Sequence, residues 1–457
     1  MKTIKYFLCL AIVAIGFTAC KDDDNAGSDT QMKIDKVFLE NIDDKVNPDR
    51  EVEFARLGQL LRLQGSGFTG LKKIYINGYE TYFNNALMTD NNVWVTLNSK
   101  TPVDKADESV RNTIVLYKSD NNRLVYDFTI RAAAPSITSC DNTLPRAGET
   151  VTVYGANLQE TTKVTLPDGT EITSDITSDE DGKWFSFVVP ASANLSMAGS
   201  LKSEGANGTA LTPTYFNDFN CYIINFENDG HGELGSWSAT YSSDDLVDDP
   251  LGTGRGKVAV LSPGGLDAGS NDKYWATAGN DNANDDWTSR MYKFIPATTS
   301  ASDVAIQFDI YAPDVWNETY QLEMSLQNNL SNYGYGSDCT KYSAQYTNTA
   351  SVWVPWLNSD GSSTPYSTSS WKTVTVPMTA FGNYDAEKAP DATFQKICED
   401  RNSGSYRNFL IFACNGDLEF SSEIVYKAKP FMQPVYIDNI RVVSIAPITV
   451  SDFDDAE

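Results

Sequence analysis

A segment near position 60 recurs about 90 residues later, and this internal repeat constrains the fold more than any other feature of the chain. Leu61–Gly65 aligns with Val151–Gly155. The alignment continues in the same register, with these further matches: Phe68 on Leu158, Ile74 on Val164, Ile76 on Leu166, and Trp94 on Trp184. A strand, a turn and a second strand therefore occur twice in succession.

Each repeat combines alternating apolar residues with a turn dipeptide, Asn77-Gly78 in the first copy and Asp168-Gly169 in the second. These dipeptides tolerate positive φ and are typical of β-hairpins. The pattern predicts two β-sandwiches, at 34–133 and 134–216, with Pro135 stiffening the junction. We expect Trp94 and Trp184 to pack in the two cores. The glycines at 65 and 155 resemble those of the immunoglobulin-like TIG fold.

The composition changes beyond about position 217, where seven of the nine tryptophans lie among Asn, Asp, Gly and Ser. Short alternating runs such as Val304–Ile310 and Tyr436–Arg441 predict strands, and Phe394–Asp400 predicts a short helix. A single larger β-sandwich of jelly-roll type over 217–447, with its first and last strands paired, accounts for this pattern. The fold class predicted for the whole chain is all-β: two tandem immunoglobulin-like sandwiches followed by the larger one.

The amino terminus has a short basic start, an apolar run from Tyr6 to Ala19, and a cysteine at Cys20. The run is shorter than the roughly 20 residues that a spanning helix needs, which predicts a signal peptide at 1–19 and lipidation at Cys20. The sequence resembles a bacterial lipobox, and Lys21–Asp24 resembles the acidic export signal of Bacteroidetes lipoproteins. The resemblance implies an outer-membrane, cell-surface protein with a flexible linker at 20–33; a periplasmic lipoprotein with an acidic linker is the alternative. Residues 448–457 form an acidic tail.

The net charge of -26, from 35 basic and 61 acidic residues, excludes nucleic acid as a ligand. A polyanion is bound by clustered Lys and Arg, and no segment of the chain offers such a cluster. The same argument disfavours anionic polysaccharides, so neutral ligands remain. Of the seven cysteines, five are left after the signal peptide and the anchor, and their spacing matches no zinc pair.

Signals of catalysis are weak. His231 is the only histidine, in a glycine-rich loop without a nucleophile elbow, so we expect it to be a solvent-exposed loop residue. Gly252–Lys257 has the wrong spacing for a phosphate loop and predicts a turn entering a strand. No pair of carboxylates stands out; Glu323 is the first acid to test, although we expect a solvated, outward position. The chain is predicted to be non-catalytic and to require no cofactor.

Aromatic residues carry the strongest binding signal. A pyranose stacks its apolar face on a flat ring, while polar groups at the rim bind its hydroxyls. Several tryptophans lie in polar, turn-rich surroundings and are the predicted glycan-binding residues: Trp275, Trp287, Trp316, Trp353 and Trp356. For each ring, binding and core packing remain open alternatives, whereas Trp371 is expected in the core.

Three acids are predicted as ligands of a structural Ca²⁺. Glu227 and Asp229 follow the first apolar run of the large sandwich, and Asp438 lies in its last strand. If these strands pair, hard oxygen ligands from both would suit the ion. A salt-bridged corner without metal is the alternative.

Three segments add a family resemblance: Val354–Leu357, Ser370–Pro377 and Tyr436–Ile440. Together with the anchor and the domain order, they resemble B-type surface glycan-binding proteins of Bacteroidetes polysaccharide utilisation loci. The resemblance implies non-catalytic capture of a neutral β-glucan, such as xyloglucan or mixed-linkage glucan, beside an outer-membrane porin complex. It assigns the binding role to Trp316, Trp353 and Trp356. A surface endo-glycanase and a protein-binding adhesin or scaffold are the alternatives.

Overall fold

The computed structural model describes residues 31–40, 49–118, 122–227, 229, 231–234, 246–277, 285–326, 350–403 and 407–448. The predicted signal peptide, Cys20, most of the linker and nearly all of the acidic tail lie outside these ranges. The chain divides into two compact units, Met1–Ala133 and Ala134–Glu457. No helix in the described ranges has the length and apolar character needed to cross a membrane.

The first unit is a β-sandwich with one core. Its sheets have the strand orders β2-β1-β4-β7 and β6-β5-β8-β9, and β3 pairs with β10 in parallel. The strand bounds are β1 Lys33–Glu40, β2 Asp49–Glu51, β3 Phe54–Arg56, β4 Leu60–Ser66, β5 Leu71–Ile76, β6 Tyr79–Thr81, β7 Asn92–Thr96, β8 Thr113–Lys118, β9 Arg123–Asp127 and β10 Thr129–Arg131. Alternate residues of these strands, including Leu61, Leu63, Ile74 and Ile76, form the core.

The second unit begins with a smaller sandwich, which we call the second sandwich. Its sheets have the orders β11-β12-β16-β15 and β14-β13-β17-β18. The bounds are β11 Ser136–Cys140, β12 Thr150–Ala156, β13 Thr161–Thr165, β14 Glu171–Ile172, β15 Thr177–Ser178, β16 Trp184–Val188, β17 Lys202–Gly205 and β18 Gly208–Leu211. Val151, Val153 and Val164 are buried in its core, which confirms the register of the repeat.

The repeated glycines lie where two strands approach too closely for any side chain. A Cβ atom on Gly65 would lie 1.8 Å from the carbonyl oxygen of Lys33, and one on Gly155 would lie 1.9 Å from that of Ser136. In both copies the facing strand has a register irregularity at this point, between Ile34 and Lys36 in the first and between Ile137 and Ser139 in the second. The irregularity bends the strand toward its neighbour, so glycine is required at the contact.

The expectation that Trp94 and Trp184 pack in the cores was wrong. Each is only partly buried, because adjacent residues take the core positions: Val93 and Val95 beside Trp94, and Phe185 beside Trp184. Trp94 donates its Nε1 hydrogen to Glu40 Oε1 at 2.7 Å on the outer face of the sheet. Strict alternation along a strand puts the apolar neighbours inside and the tryptophan outside.

The rest of the second unit is a two-layer sandwich, which we call the large sandwich. One sheet has the order β21-β22-β31-β24-β27, with β19 also paired to β31, and the other has the order β20-β23-β28-β25-β26. The bounds are β19 Tyr222–Ile224, β20 Glu233–Leu234, β21 Leu246–Asp248, β22 Lys257–Leu261, β23 Asn271–Thr277, β24 Val304–Tyr311, β25 Gln321–Ser325, β26 Ala350–Trp353, β27 Lys372–Pro377, β28 Phe409–Cys414, β29 Leu418–Glu419, β30 Val425–Tyr426 and β31 Val435–Ser444. The α-helices of its described part are α1 Trp287–Met291 and α2 Phe394–Asn402.

Three sequence predictions for the large sandwich are confirmed. Its first strand, β19, pairs with its last, β31. The helix α2 covers the segment in which a helix was predicted. Gly252–Lys257 forms a turn that enters β22, as its spacing indicated. One core joins both sheets and the two helices, so the all-β prediction holds for the whole described chain.

The second sandwich packs against the outer face of the sheet that contains β24, β27 and β31. The Thr373 amide donates to the carbonyl of Asp141 at 2.7 Å, and the Thr143 amide donates to Thr373 Oγ1 at 2.9 Å. Lys372 Nζ forms an ion pair with Asp141 at 2.5 Å, and the Arg441 guanidinium reaches Thr143 Oγ1 at 3.0 Å. One of the two outer faces of the large sandwich is therefore occupied by the second sandwich.

Candidate functional site

Three of the predicted glycan-binding tryptophans belong to the core. Trp287, Trp316 and Trp356 expose none of their surface, so in this structure their rings cannot stack on a sugar. The Trp287 indole donates to Asp285 Oδ2 at 3.2 Å, and the Arg401 guanidinium lies 4.2 Å from its ring centroid. The assignment of these residues to a binding surface is therefore corrected.

Trp316 and Trp356 converge on one pair of backbone carbonyls. Trp316 Nε1 lies 2.9 Å from the carbonyl oxygen of Thr319 and 2.7 Å from that of Tyr320. Trp356 Nε1 approaches the same oxygens at 2.9 and 3.3 Å. A buried indole needs an acceptor for its N–H, and Tyr320, with φ of 58°, lies in a turn whose carbonyls supply one. Sequence reasoning could not anticipate these acceptors because they come from a turn and not from a strand.

Trp353 is only partly buried, at the end of the edge strand β26. Its ring makes edge-to-face contacts with Phe308, Trp316 and Tyr366, with centroids 5.6, 5.7 and 5.7 Å apart. These contacts fix the ring on the core side of the sheet, in register with Leu322. Trp371, expected in the core, is fully buried beside Tyr311.

Trp275 lies in β23, in register with Leu410 of β28. Its side chain is outside the described part of the chain. Leu410 and Phe412 alternate with Phe409 and Ile411, and the latter two belong to the core. Directly opposite residues share a face of a sheet, so the backbone position of Trp275 is on the outer face. This face carries the candidate binding surface, which we call the outer sheet face: the face of β23, β25 and β28 directed away from the core.

The outer sheet face combines apolar and polar residues. In β25, Gln321, Glu323 and Ser325 alternate with the core residues Leu322 and Met324. Glu323 is buried, which corrects the expectation of a solvated position. Three segments outside the described ranges, 235–245, 278–284 and 327–349, follow β20, β23 and β25 in the chain. All three strands belong to this sheet. Each long connection of the large sandwich that lies outside the described ranges therefore starts at one of its strands.

The predicted calcium ligands do not form one site. Among the described residues, no group of three or more His, Cys, Asp or Glu side chains is arranged to hold a metal ion. Glu227 accepts a hydrogen bond from the backbone N–H of Lys257 at 2.5 Å, whereas Asp229 accepts one from the side-chain Nδ2 of Asn225 at 3.0 Å. Asp438 is buried and accepts from Asn439 Nδ2 at 2.7 Å. The three acids satisfy separate protein donors, so the predicted set is corrected.

Asp438 belongs to a buried charge network, which we call the junction network: Arg255, Asp309, Asp438, Arg441 and Glu149. Arg255 donates to Asp309 Oδ2 at 2.7 Å and reaches Glu149 Oε2 at 3.3 Å. Arg441 donates to Asp309 Oδ1 at 3.2 Å. Glu149 belongs to the second sandwich and the other four residues to the large one. Charges without solvent persist in a protein interior only when they are paired in this way.

The two aspartates of the network titrate in opposite directions. Burial raises the pKa of Asp438 to about 8, with the negative charge of Asp309 adding to the rise and Arg255 opposing it. Burial also acts on Asp309, but Arg441 and Arg255 outweigh it and lower the pKa of that carboxyl. Asp309 is therefore the stronger acid of the pair, and Asp438 keeps its proton to a higher pH. In the sequence, Arg255 lies between two glycines and predicts only a turn. The sequence analysis therefore did not predict the network.

A cleft of about 330 Å³ opens between the second and the large sandwich, and we call it the junction cleft. Its lining includes Arg146 from the second sandwich and Phe219, Asn225, Asp229 and His231 from the large one. His231, expected to be a solvent-exposed loop residue, has 49% of its side chain exposed, and its Nδ1 lies 3.0 Å from Asp229 Oδ1. No sequence motif marked this cleft, because its two walls are far apart in the chain.

Comparison with known proteins identifies a family. The family model described as surface glycan-binding protein B xyloglucan binding domain matches residues 216–444, about half of the chain. An IPT/TIG domain-containing protein of Bacteroides ovatus is 24% identical over 230 residues, which are 46% of this chain and 46% of that protein. The match thus spans about half the length of this relative.

A solved structure shares the fold. The crystal structure of the surface glycan-binding protein PbSGBP-B from Prevotella bryantii superposes with a TM-score of 0.62 at 19% sequence identity. The likeness covers 91% of this chain and 99% of that one. The succession of sandwiches is therefore an arrangement that the two proteins have in common.

Proposed function

The chain belongs to the surface glycan-binding protein B family, and on that premise we propose that it captures a neutral plant or cereal polysaccharide at the cell surface without cleaving it. The observation that carries the proposal is the match of residues 216–444 to a domain described as xyloglucan-binding. The ligand class is a β-glucan such as xyloglucan or mixed-linkage glucan. The net charge of -26 supports a neutral ligand, because it would repel an anionic chain.

The outer sheet face is the binding surface in this proposal. The opposite outer face of the large sandwich is covered by the second sandwich, through contacts such as that between Thr373 and Asp141. The described side chains of the outer sheet face, among them Glu323, Leu410 and Phe412, are themselves buried, so the face is proposed as the binding surface at the position of Trp275 and not as a surface open along several strands. Trp275 supplies the aromatic platform, because its backbone position is on that face beside Leu410.

Trp353 is proposed as a second, less central glycan-binding residue. It is the one tryptophan of the large sandwich that the structure leaves partly exposed among those with described side chains. Its edge-to-face packing against Phe308 and Trp316 holds the ring at the rim of β26. A rigid ring at the rim costs little entropy to bury, so it suits a contact at one end of a bound chain.

Capture without cleavage agrees with the positions of the acids. Glycoside hydrolysis needs two carboxyl groups about 5 to 10 Å apart across an open cleft. Asp309 and Asp438 are close neighbours, but both are buried beneath the second sandwich and paired with Arg255. Their position leaves no room for a sugar between them.

The cellular setting belongs to the same proposal. Lipidation at Cys20 would tether the chain to the outer membrane, and Lys21–Asp24 would direct it to the cell surface. A captured polysaccharide would then be passed to an outer-membrane transporter complex. Radiolabelled palmitate incorporation, lost in Cys20→Ala, and protease accessibility on whole cells test the two steps separately.

Isothermal titration of the full-length chain against xyloglucan, mixed-linkage β-glucan and a panel of other neutral glycans tests the proposed function. Trp275→Ala is expected to weaken binding by about tenfold or more, the equivalent of one lost stacking contact. Trp184→Ala is the matched control, because this partly buried tryptophan belongs to the second sandwich and should leave binding unchanged.

Two outcomes would contradict the proposal. The absence of heat with every glycan would favour a protein-binding scaffold. Release of reducing ends from the bound polysaccharide would establish an endo-glycanase, and Glu323→Gln would then show whether the buried acid of β25 is responsible.

A further inference from the structure

The junction cleft has an aromatic wall of the kind that binds sugar rings. Phe219, Tyr222 and His231 form one cluster, with centroid distances of 5.8 Å between Phe219 and Tyr222, 4.9 Å between Tyr222 and His231, and 6.1 Å between Phe219 and His231. Phe219 and His231 line the cleft itself. The Arg290 guanidinium lies 5.0 Å from the centroid of the Tyr222 ring and donates to the Tyr222 carbonyl, which holds this residue in place. Flat rings held by neighbours present a preorganised stacking surface.

The cleft also carries hydrogen-bonding capacity that the protein does not use. Asn217, 5% exposed and part of the lining, has an Oδ1 atom that accepts no hydrogen bond. Arg146 Nε, on the opposite wall, is likewise buried without a partner. Leaving a buried acceptor and a buried donor unpaired costs free energy. Both atoms have almost no accessible surface in this structure, so a ligand hydroxyl, which is both donor and acceptor, would pair with them once their side chains rotate toward the cleft.

The charges that line the cleft and its volume further limit the class of ligand that it can bind. The charged groups Arg146 and Asp229 have opposite signs, and the rest of the lining is amide, hydroxyl, aromatic and aliphatic. This balance gives no net attraction for an ion of either sign. The volume of about 330 Å³ is at the lower end of the range of ligand sites, roughly 300 to 1,000 Å³. The cleft therefore suits one small, neutral, hydroxyl-rich ring.

We infer that the junction cleft is a second carbohydrate site, which binds a single neutral sugar residue, such as a chain end or a side branch. The inference rests on the proposed function only for the ligand class, because the site itself is separate from the outer sheet face. A sugar bound there contacts both sandwiches of the second unit, with Arg146 on one side and His231 on the other. Binding would therefore also stabilise the junction between them.

Saturation-transfer NMR of the full-length chain with D-xylose, D-glucose and D-galactose as separate probes tests the inference. At least one sugar is expected to show transfer, and Phe219→Ala should reduce its affinity about tenfold. His231→Ala should reduce it as well; this variant alters a half-exposed side chain, so its fold should be retained. Trp275→Ala is the reciprocal control and should leave the monosaccharide signal unchanged.

The outcomes separate the two proposals. Polysaccharide titration should be unaffected by Phe219→Ala and His231→Ala, and lost or weakened in Trp275→Ala. No transfer with any of the three sugars, or a signal that both cleft variants preserve, would overturn the second site. A signal lost only in Trp275→Ala would assign the monosaccharide to the outer sheet face. Failure of the chain to bind any polysaccharide would instead overturn the proposed function, whatever the monosaccharides do.

Discussion

Arg255 and Asp309 form a fully buried ion pair, with Arg255 Nη1 2.7 Å from Asp309 Oδ2 and neither side chain exposed to solvent. The pair lies beneath the second sandwich, since Arg255 Nη2 also donates to the carbonyl of Leu144 at 3.1 Å. Arg255, from a turn of the large sandwich, thus adds to the contacts that hold the second sandwich in place. Residues from Ala134 onward form one compact unit, and the junction network is one of the contacts between its two sandwiches.

Arg255→Ala should strongly destabilise the second unit. The substitution removes one charged partner of Asp309, which keeps Arg441, and the ion-pair partner of Glu149. Breaking a buried ion pair in this way typically costs about 3 to 5 kcal/mol of unfolding free energy. Urea denaturation followed by tryptophan fluorescence measures the change. Lys163→Ala is the control, because its ion pair with Glu171 is at the surface and should contribute little. Equal effects of the two substitutions would contradict the role assigned to the network.

The protonated Asp438 should make the second unit less stable at alkaline pH. The pKa of this carboxyl is about 8 in the folded chain, against an ordinary value of 3.8. Its contribution is therefore fully present below the ordinary value and is lost as the pH rises through about 8. Thermal unfolding between about pH 5 and pH 9 should show the melting temperature falling, and Asp438→Asn, which mimics the protonated acid, should flatten the slope. An unchanged slope in the variant would assign the pH dependence to other groups.

Trp316→Ala should lower the unfolding free energy and should not remove a direct contact with the glycan. The indole is fully buried and donates to two carbonyls, so its removal leaves both a cavity and a lost hydrogen bond. Truncation of a buried tryptophan typically costs about 3 to 5 kcal/mol. The neighbouring Val315→Ala, at a side chain that is 62% exposed, is the matched control and should change the unfolding free energy little. A stable Trp316→Ala variant with impaired glycan binding would restore the original assignment of this ring.

The periodicity of the sequence was sufficient to predict the fold but not to predict which residues form the binding site. Alternation and the glycines at 65 and 155 report local backbone geometry, which is why the repeat and its register were predictable. Closure of the large sandwich by β19 and β31 followed from the same signal. These features depend on neighbours within a strand or a hairpin.

The burial of the tryptophans depends on residues remote in the sequence. Trp316 and Trp356 appeared suited to a surface because polar residues and prolines surround them, yet their acceptors are carbonyls of a turn at Thr319 and Tyr320. Arg255 was read as part of a turn because its partner Asp309 is 54 positions away. Tertiary contacts of this kind leave no periodic trace in a single sequence.

Gly155→Ala should destabilise the second unit far more than Gly264→Ala. A Cβ at position 155 would lie 1.9 Å from the carbonyl oxygen of Ser136, a backbone atom that cannot move without breaking the β11–β12 pairing. At Gly264 the added Cβ meets nothing within 4 Å, and the backbone there has no positive φ that would strain alanine. Because the two substitutions are chemically identical, they differ only in the space available. Differential scanning calorimetry should show a large fall in melting temperature for the first variant and almost none for the second. Equal falls would mean that loss of glycine flexibility, not the close approach of two strands, explains why this position is glycine.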